Sequence, residues 1–245
     1  TPAGDPADLT QAALIPADLV VFIAAHIGRA RILSEWIDPS VNDEANPDDR
    51  TVELDLYDPA NPNQPPYSED YVAEFREAQR ARIKRITAFA DQSLADLEAK
   101  DGAEMERPFI VHRTMADPRF LDTNIEPNGR KENWCYLGNP ETVNVGPVGI
   151  GRFSTLRAWL SQWSERSNAD GIACAKRIDT PLLLVENQAD EATPPSHTRQ
   201  IFAASASPDK VMHQIEGATH YYKDQPDKLI EAVDIVINWV RERTG

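Results

Sequence analysis

Two short stretches near the end of the chain hold the residue types of an acid–base pair. Asp190 lies in QADEATPP, directly after the apolar run PLLLVEN, and His220 lies in EGATHYY, directly after KVMHQI. A carboxylate that accepts the N–H of an imidazole fixes the ring's tautomer and stabilises the imidazolium formed when the ring takes a proton. Both residues follow strand-like runs, and in open parallel sheets the groups that do chemistry gather at the carboxyl ends of strands. Neighbouring strands lie ~4.8 Å apart, so loops at adjacent strand ends can bring two such side chains within hydrogen-bonding distance. Glu191 is the runner-up carboxylate. The same residues also have structural readings: an Asp ahead of x-x-x-Pro starts a turn through its side-chain oxygen, and a histidine near a glycine can simply be exposed. The other histidines have weaker contexts. His213 lies inside a strand pattern, His197 follows Pro-Pro-Ser at a helix start, His112 has no supporting context, and His26 stands where it could line a pocket at a strand end.

The elements that must position these residues are legible in the apolar pattern. LVVFIAAHIGRA, residues 19–30, opens with five apolar residues, three of them β-branched, as a strand buried on both faces of a parallel sheet does. Residues 38–70 are acidic and proline-rich and read as a long surface excursion. A helix follows, with Ser68 as N-cap and apolar residues at helical spacing from Tyr71 to Ala90. Its run Arg80, Arg82, Lys84 and Arg85 reads as a solvated face. RPFIVHRTM, residues 107–115, reads as a strand, and residues 153–166 as a second helix with Leu156, Trp159, Leu160 and Trp163 on one face. From residue 178 onward the pattern is strand, helix (SHTRQIFAAS), strand (KVMHQI) and a final helix, PDKLIEAVDIVINWVRER. Short connections in that order imply parallel strands with helices packed against them.

The run PLLLVENQADEATPP, followed by EGATHYY, resembles the C-terminal third of the α/β-hydrolase fold. In that family the acid follows a late strand in a D-x-x-x-P context, and the histidine follows the last strand in a G-x-x-H-like turn. The resemblance implies that Asp190 is the triad acid and His220 the general base. It further implies that LVVFIAAHIGRA is the strand preceding a lid. The expected fold is α/β: the C-terminal part of an α/β-hydrolase parallel sheet with an inserted, mainly helical cap. The expected division is residues 1–37 as a core segment, 38–170 as the cap, and 171–245 as the C-terminal core segment carrying acid and histidine. His26, Trp134, Tyr136, Trp159 and Trp163 are candidate liners of a substrate pocket.

That family's reaction needs a nucleophile, usually Ser in G-x-S-x-G at a strand-to-helix elbow, with oxyanion donors nearby. No G-x-S-x-G, G-x-C-x-G or G-x-D-x-G occurs in the sequence. Ser205, in AASAS, falls between acid and histidine with no strand leading into it, and Ser154 reads as the N-cap of the 153–166 helix. Only about three core strands are visible, so the expectation is a companion N-terminal polypeptide, from a processed precursor or a separate subunit. It would carry the serine and the oxyanion hole. The expected activity is cleavage of a carboxylic ester, lactone or amide. A non-catalytic binding scaffold of the same fold is the alternative. The first residue, Thr1, also raises an N-terminal nucleophile using its own α-amine as base, but the parallel α/β pattern of the tail argues against it.

Composition narrows the partners. A net charge of −15 repels nucleic acid and anionic lipid at long range. No run approaches the ~18 consecutive apolar residues of a membrane span, and no signal peptide is visible. Cys135 and Cys174 lie far apart, as in buried thiols of a reducing compartment, so a cytoplasmic location is expected. Histidines and carboxylates form no ligand-spaced cluster, so neither metal nor organic cofactor is expected.

Overall fold

The computed structural model describes residues 1–4, 9–100 and 102–245. In chain order the strands are β1 (Val20–Ile23), β2 (Val41–Asp43), β3 (Asn46–Arg50), β4 (Pro108–Ile110), β5 (Phe153–Thr155), β6 (Leu182–Asn187) and β7 (Lys210–Ile215). The helices are α1 (Arg29–Trp36), α2 (Glu69–Ala99), α3 (Pro118–Leu121), α4 (Pro140–Val145), α5 (Leu156–Ala158), α6 (Gly171–Ala175), α7 (Pro195–Ala204) and α8 (Pro226–Thr244). With a small parallel sheet and many helices, the chain is broadly α/β. It divides into two compact units. The first comprises Thr1–Gln11, Arg29–Asp122 and Leu137–Ala169; the second comprises Ala12–Gly28, Thr123–Tyr136 and Asp170–Gly245.

The second unit is built on a three-stranded sheet in the order β1-β6-β7, parallel throughout. Central β6 is buried along its whole length. Leu182 and Leu184 pack with Ala175 and Ile201, whereas Leu183 and Val185 pack with Ala232 and Trp239. Helices therefore cover both faces, α6 and α7 on one and α8 on the other. A strand sandwiched in this way needs apolar residues at both parities, which is why PLLLVEN shows no alternation. Each buried leucine contributes roughly 1.5–3 kcal/mol relative to exposure. Asp170 caps α6 by accepting the amides of Ile172 and Ala173. The Gly171 amide then donates to the Ile27 carbonyl at 2.7 Å. A Cβ at 171 would meet the Ile27 backbone at 3.0 Å, so any larger residue there must push the two segments apart by a few tenths of an ångström.

Two surfaces of this unit stay open. Among the described residues β1 pairs only with β6, and Ile23 on it is 44% exposed. Helix α8 buries Ala232 and Trp239 but leaves Leu229, Ile230, Val233 and Ile237 exposed to water.

The first unit is organised by α2. Ser68 accepts the Tyr71 amide at its start, as the sequence predicts. The helix buries Phe75, Ile83, Ile86, Ala90, Leu94 and Leu97 on one stripe. In the middle of that stripe stand two polar side chains. Gln79 reaches the carbonyls of Glu35, Ile37 and Ala116 at 2.8–2.9 Å. Arg82 has no exposed surface; it donates to the carbonyls of Asp38, His112 and Arg113, and bidentately to Glu44 at 2.8 and 2.7 Å. The expectation that the basic run of α2 is a solvated face is thus corrected at Arg82, because carbonyls at chain turns supply it with buried acceptors.

Two further expectations change. The 38–70 segment is not a mere surface excursion: β2 and β3 form an antiparallel hairpin, and Asp38, Ser40, Asp55, Leu56 and Asn61 are buried. Arg113 makes this possible by binding Asp38 at 2.6 Å and Asp55 through both oxygens at 2.8 Å. Residues 153–166 are not one helix. Their first three form β5, antiparallel to β4, and Ser154 lies within that strand. Thr155, not Ser154, caps the short α5, and a π-turn over Trp159–Trp163 ends with the Ser164 amide on the Trp159 carbonyl.

Candidate active site

The second unit alone builds the Asp190–His220 pair. Past the end of β6 the chain stays stitched to the end of β7 and the segment after it: the Gln188 amide donates to the Ile215 carbonyl and the Ala189 amide to the Ala218 carbonyl, at 3.0 and 2.9 Å. Asp190 then turns, almost fully buried. Its Oδ1 accepts the amides of Ala192 and Thr193, both at 2.7 Å. The Asn128 side chain donates to the Asp190 carbonyl at 2.8 Å, and Thr193 Oγ1 donates to the Ala24 carbonyl at 3.0 Å.

The loop after β7 is equally fixed. Gly217 turns it at φ +67° and donates its amide to Gln188 Oε1. Gln225 closes the loop on itself, its Oε1 accepting the amide and hydroxyl of Thr219 while its Nε2 donates to the Gly217 carbonyl. Asn187, at the tip of β6, donates to the Thr219 carbonyl and accepts the Tyr222 hydroxyl at 2.7 Å. His220 Nδ1 consequently lies 2.9 Å from Asp190 Oδ2 and 3.2 Å from Oδ1. One carboxylate makes both contacts: Oδ1 closes the turn, and Oδ2, with Oδ1 slightly further off, faces the imidazole. Glu191 does not face the ring; it accepts the backbone amide of His220 at 3.2 Å. His220 Nε2 makes no hydrogen bond among the described residues.

Two tyrosines flank the imidazole edge-on. Tyr221 lies 4.6 Å and Tyr136 6.4 Å from it by ring centroids, and they lie 6.1 Å from each other. Burial pushes the Tyr136 phenol up to about 12, so it stays a neutral donor at physiological pH. On His220, burial is the largest single influence and depresses the pKa. The hydrogen bond and charge of Asp190, with the charge of Glu191, outweigh it, so the imidazole is held above 6.5. Burial raises the Glu191 carboxyl, and the His220 amide works against that rise.

Linkage gives the sign of the pH effect. A proton bound more tightly in the folded than in the unfolded chain contributes stability that is fully present below the unfolded value of about 6.5 and fades as pH rises through the folded value. Wild type is therefore expected to lose stability from mildly acidic to mildly alkaline pH relative to His220→Gln, measured by urea unfolding in a pH series. Identical slopes for the two proteins would contradict this.

The candidate pocket residues fall into two groups. Tyr136, Trp134 and His26 lie in the second unit with the pair. Trp134 is about one-third exposed, with the Lys131 ammonium 4.4 Å over its ring. His26 is exposed, and its Nδ1 accepts the Gly28 amide at 3.0 Å. Trp159 and Trp163 belong to the first unit. Trp159 is corrected from pocket liner to core residue: it is fully buried, with its indole N–H on Thr87 Oγ1, so it offers no surface to a ligand. Trp163 packs against the same core with the Arg29 guanidinium 6.0 Å over its ring.

The sequence reading missed the residues that hold the pair. Asn187, Gln188 and Gln225 are ordinary polar residues in sequence, and only the three-residue step from Asp190 to Thr193 carries the signature of a side-chain-closed turn. Among the described residues, no group of three or more His, Cys, Asp or Glu is placed to hold a metal ion, and no helix is long and apolar enough to cross a membrane. Chemically, an imidazole with Nδ1 on a buried carboxylate and Nε2 open can take a proton from an alcohol, thiol or water and return it to a leaving group. No family model, curated protein or solved structure matches the chain.

Proposed function

We propose that the chain supplies the acid and base of a serine hydrolase acting on a carboxylic ester, lactone or amide. The single observation that carries the reading is the 2.9 Å contact between Asp190 Oδ2 and His220 Nδ1, on loops after adjacent parallel strands. His220 Nε2 takes the proton of an attacking serine and passes it to the leaving oxygen or nitrogen. Asp190 keeps the proton of the ring on Nδ1 and stabilises the imidazolium between those two transfers. The serine and the amides that hold the oxyanion come from a companion polypeptide. Two features support such a companion: among the described residues β1 pairs only with β6, and an open sheet edge is a template for another strand, while α8 leaves Leu229, Ile230, Val233 and Ile237 exposed.

The test is labelling of the intact assembly with a fluorophosphonate. The label is expected on a serine of a second chain, and His220→Ala is expected to abolish it. Labelling that survives His220→Ala sinks the proposed role of the histidine. A folded assembly that takes no label favours the non-catalytic binding scaffold. A single 27.3 kDa species on denaturing mass spectrometry, with no companion, sinks the two-chain arrangement.

A further inference from the structure

The first unit carries a cleft of about 400 Å³ between the β2–β3 turn, one turn of α2 and strand β4. Ile86 and Val111 belong to its lining and are almost fully buried. Phe89 and Ile110 also line it and are half exposed, and Phe109 meets Phe89 edge-on at 5.5 Å. Large apolar side chains left in water around a concavity of this size mark a ligand site more often than a bare surface.

The charges of the lining decide the ligand. Glu44 is neutralised by the bidentate contact of Arg82. That leaves Arg85 and Asp43. Arg85 gives one N–H to the Val41 carbonyl, and Asp43 accepts only the Ala45 amide. Neither has an ion-pair partner among the described residues, and they do not pair with each other. An anion alone would satisfy Arg85 and be opposed by Asp43; a cation alone would meet the reverse. A molecule carrying both signs on an apolar body satisfies every uncompensated group of the cleft. We propose that this cleft binds a free α-amino acid with an aromatic or branched apolar side chain. Its carboxylate lies on Arg85, its ammonium on Asp43, and its side chain against Phe89, Phe109 and Ile110. The cleft belongs to the first unit and the Asp190–His220 pair to the second.

Calorimetry on the full 245-residue chain tests this with three probes: L-phenylalanine, 3-phenylpropionate, which lacks the ammonium, and phenethylamine, which lacks the carboxylate. Each contact pairs an exposed charge and is worth up to about fivefold in affinity, so L-phenylalanine is expected to bind about two- to fivefold more tightly than either single-charge probe. Arg85→Gln is expected to reduce its affinity to that of phenethylamine, and Asp43→Asn to that of 3-phenylpropionate. Both side chains are exposed, so the variants should fold, which circular dichroism checks; His220→Ala should bind as wild type does. Equal affinity for all three probes, no saturable binding, or affinity unmoved by both variants overturns the proposal.

Discussion

Under the proposed function, Asp190→Asn is expected to lower turnover of the proposed two-chain assembly by roughly 10⁴-fold, the scale on which an amide in place of a triad carboxylate presents the wrong tautomer. The fold should survive, since the amide oxygen can still accept the Ala192 and Thr193 amides that Oδ1 accepts in wild type. The chain by itself offers a second readout. Burial is the largest influence on His220 and depresses its pKa; the hydrogen bond and charge of Asp190 are the main influences raising it. Without that carboxylate, the imidazole should titrate at distinctly lower pH in an NMR series. Glu191→Gln should act much more weakly, because Glu191 accepts the backbone amide of His220 and does not reach its ring. Turnover within tenfold of wild type in Asp190→Asn, with the histidine titrating unchanged, would remove the basis of the proposed mechanism.

The second large effect concerns stability. Arg82→Met should cost about 3 kcal/mol, the low end of the penalty for deleting one partner of a buried ion pair, because Glu44 is 29% exposed. It strips Glu44 of its cation and leaves the carbonyls of Asp38 and His112 short of a donor. At this chain length the loss corresponds to a fall in Tm on the order of 10 °C. Arg80→Ala is the control. Arg80 forms only an exposed pair with Glu77 one turn away, and such pairs are close to neutral, so its Tm should not move. Calorimetric melting of both variants checks the contrast. A shift of only a degree or two for Arg82→Met would mean that the arginine is a passenger in the core.

These two residues also mark where the sequence was informative and where it was not. Asp190 and His220 could be read because each stands in a strand-end context with local grammar: an apolar run before it, and a proline or glycine turn around it. The strands β6 and β7, and the helices α7 and α8, were legible for the same reason, since two-sided burial and amphipathic spacing are local signals. Ser68 announced the start of α2. Arg82 could not be read. In sequence it belongs to a basic run, and its burial depends on carbonyls at residues 38, 112 and 113, brought to it by chain turns with no periodicity. The acidic stretch after residue 37 misled in the complementary way, because Asp38 and Asp55 look solvated until Arg113 is placed between them. In residues 153–166, helical spacing of Leu156, Trp159 and Trp163 masked a strand whose partner, β4, is over forty positions earlier, and a turn wound wider than 3.6 residues.

The amides of Gln188 and Ala189 tie the first loop to the end of β7 and to the second loop, and Asn187 adds a side-chain strap to the Thr219 carbonyl. Carboxylate and imidazole are therefore mounted on a single stitched seam. Exchange of those two amide protons with deuterated water requires the seam to part, so their protection reports the free energy of opening it, readable with no ligand or companion present.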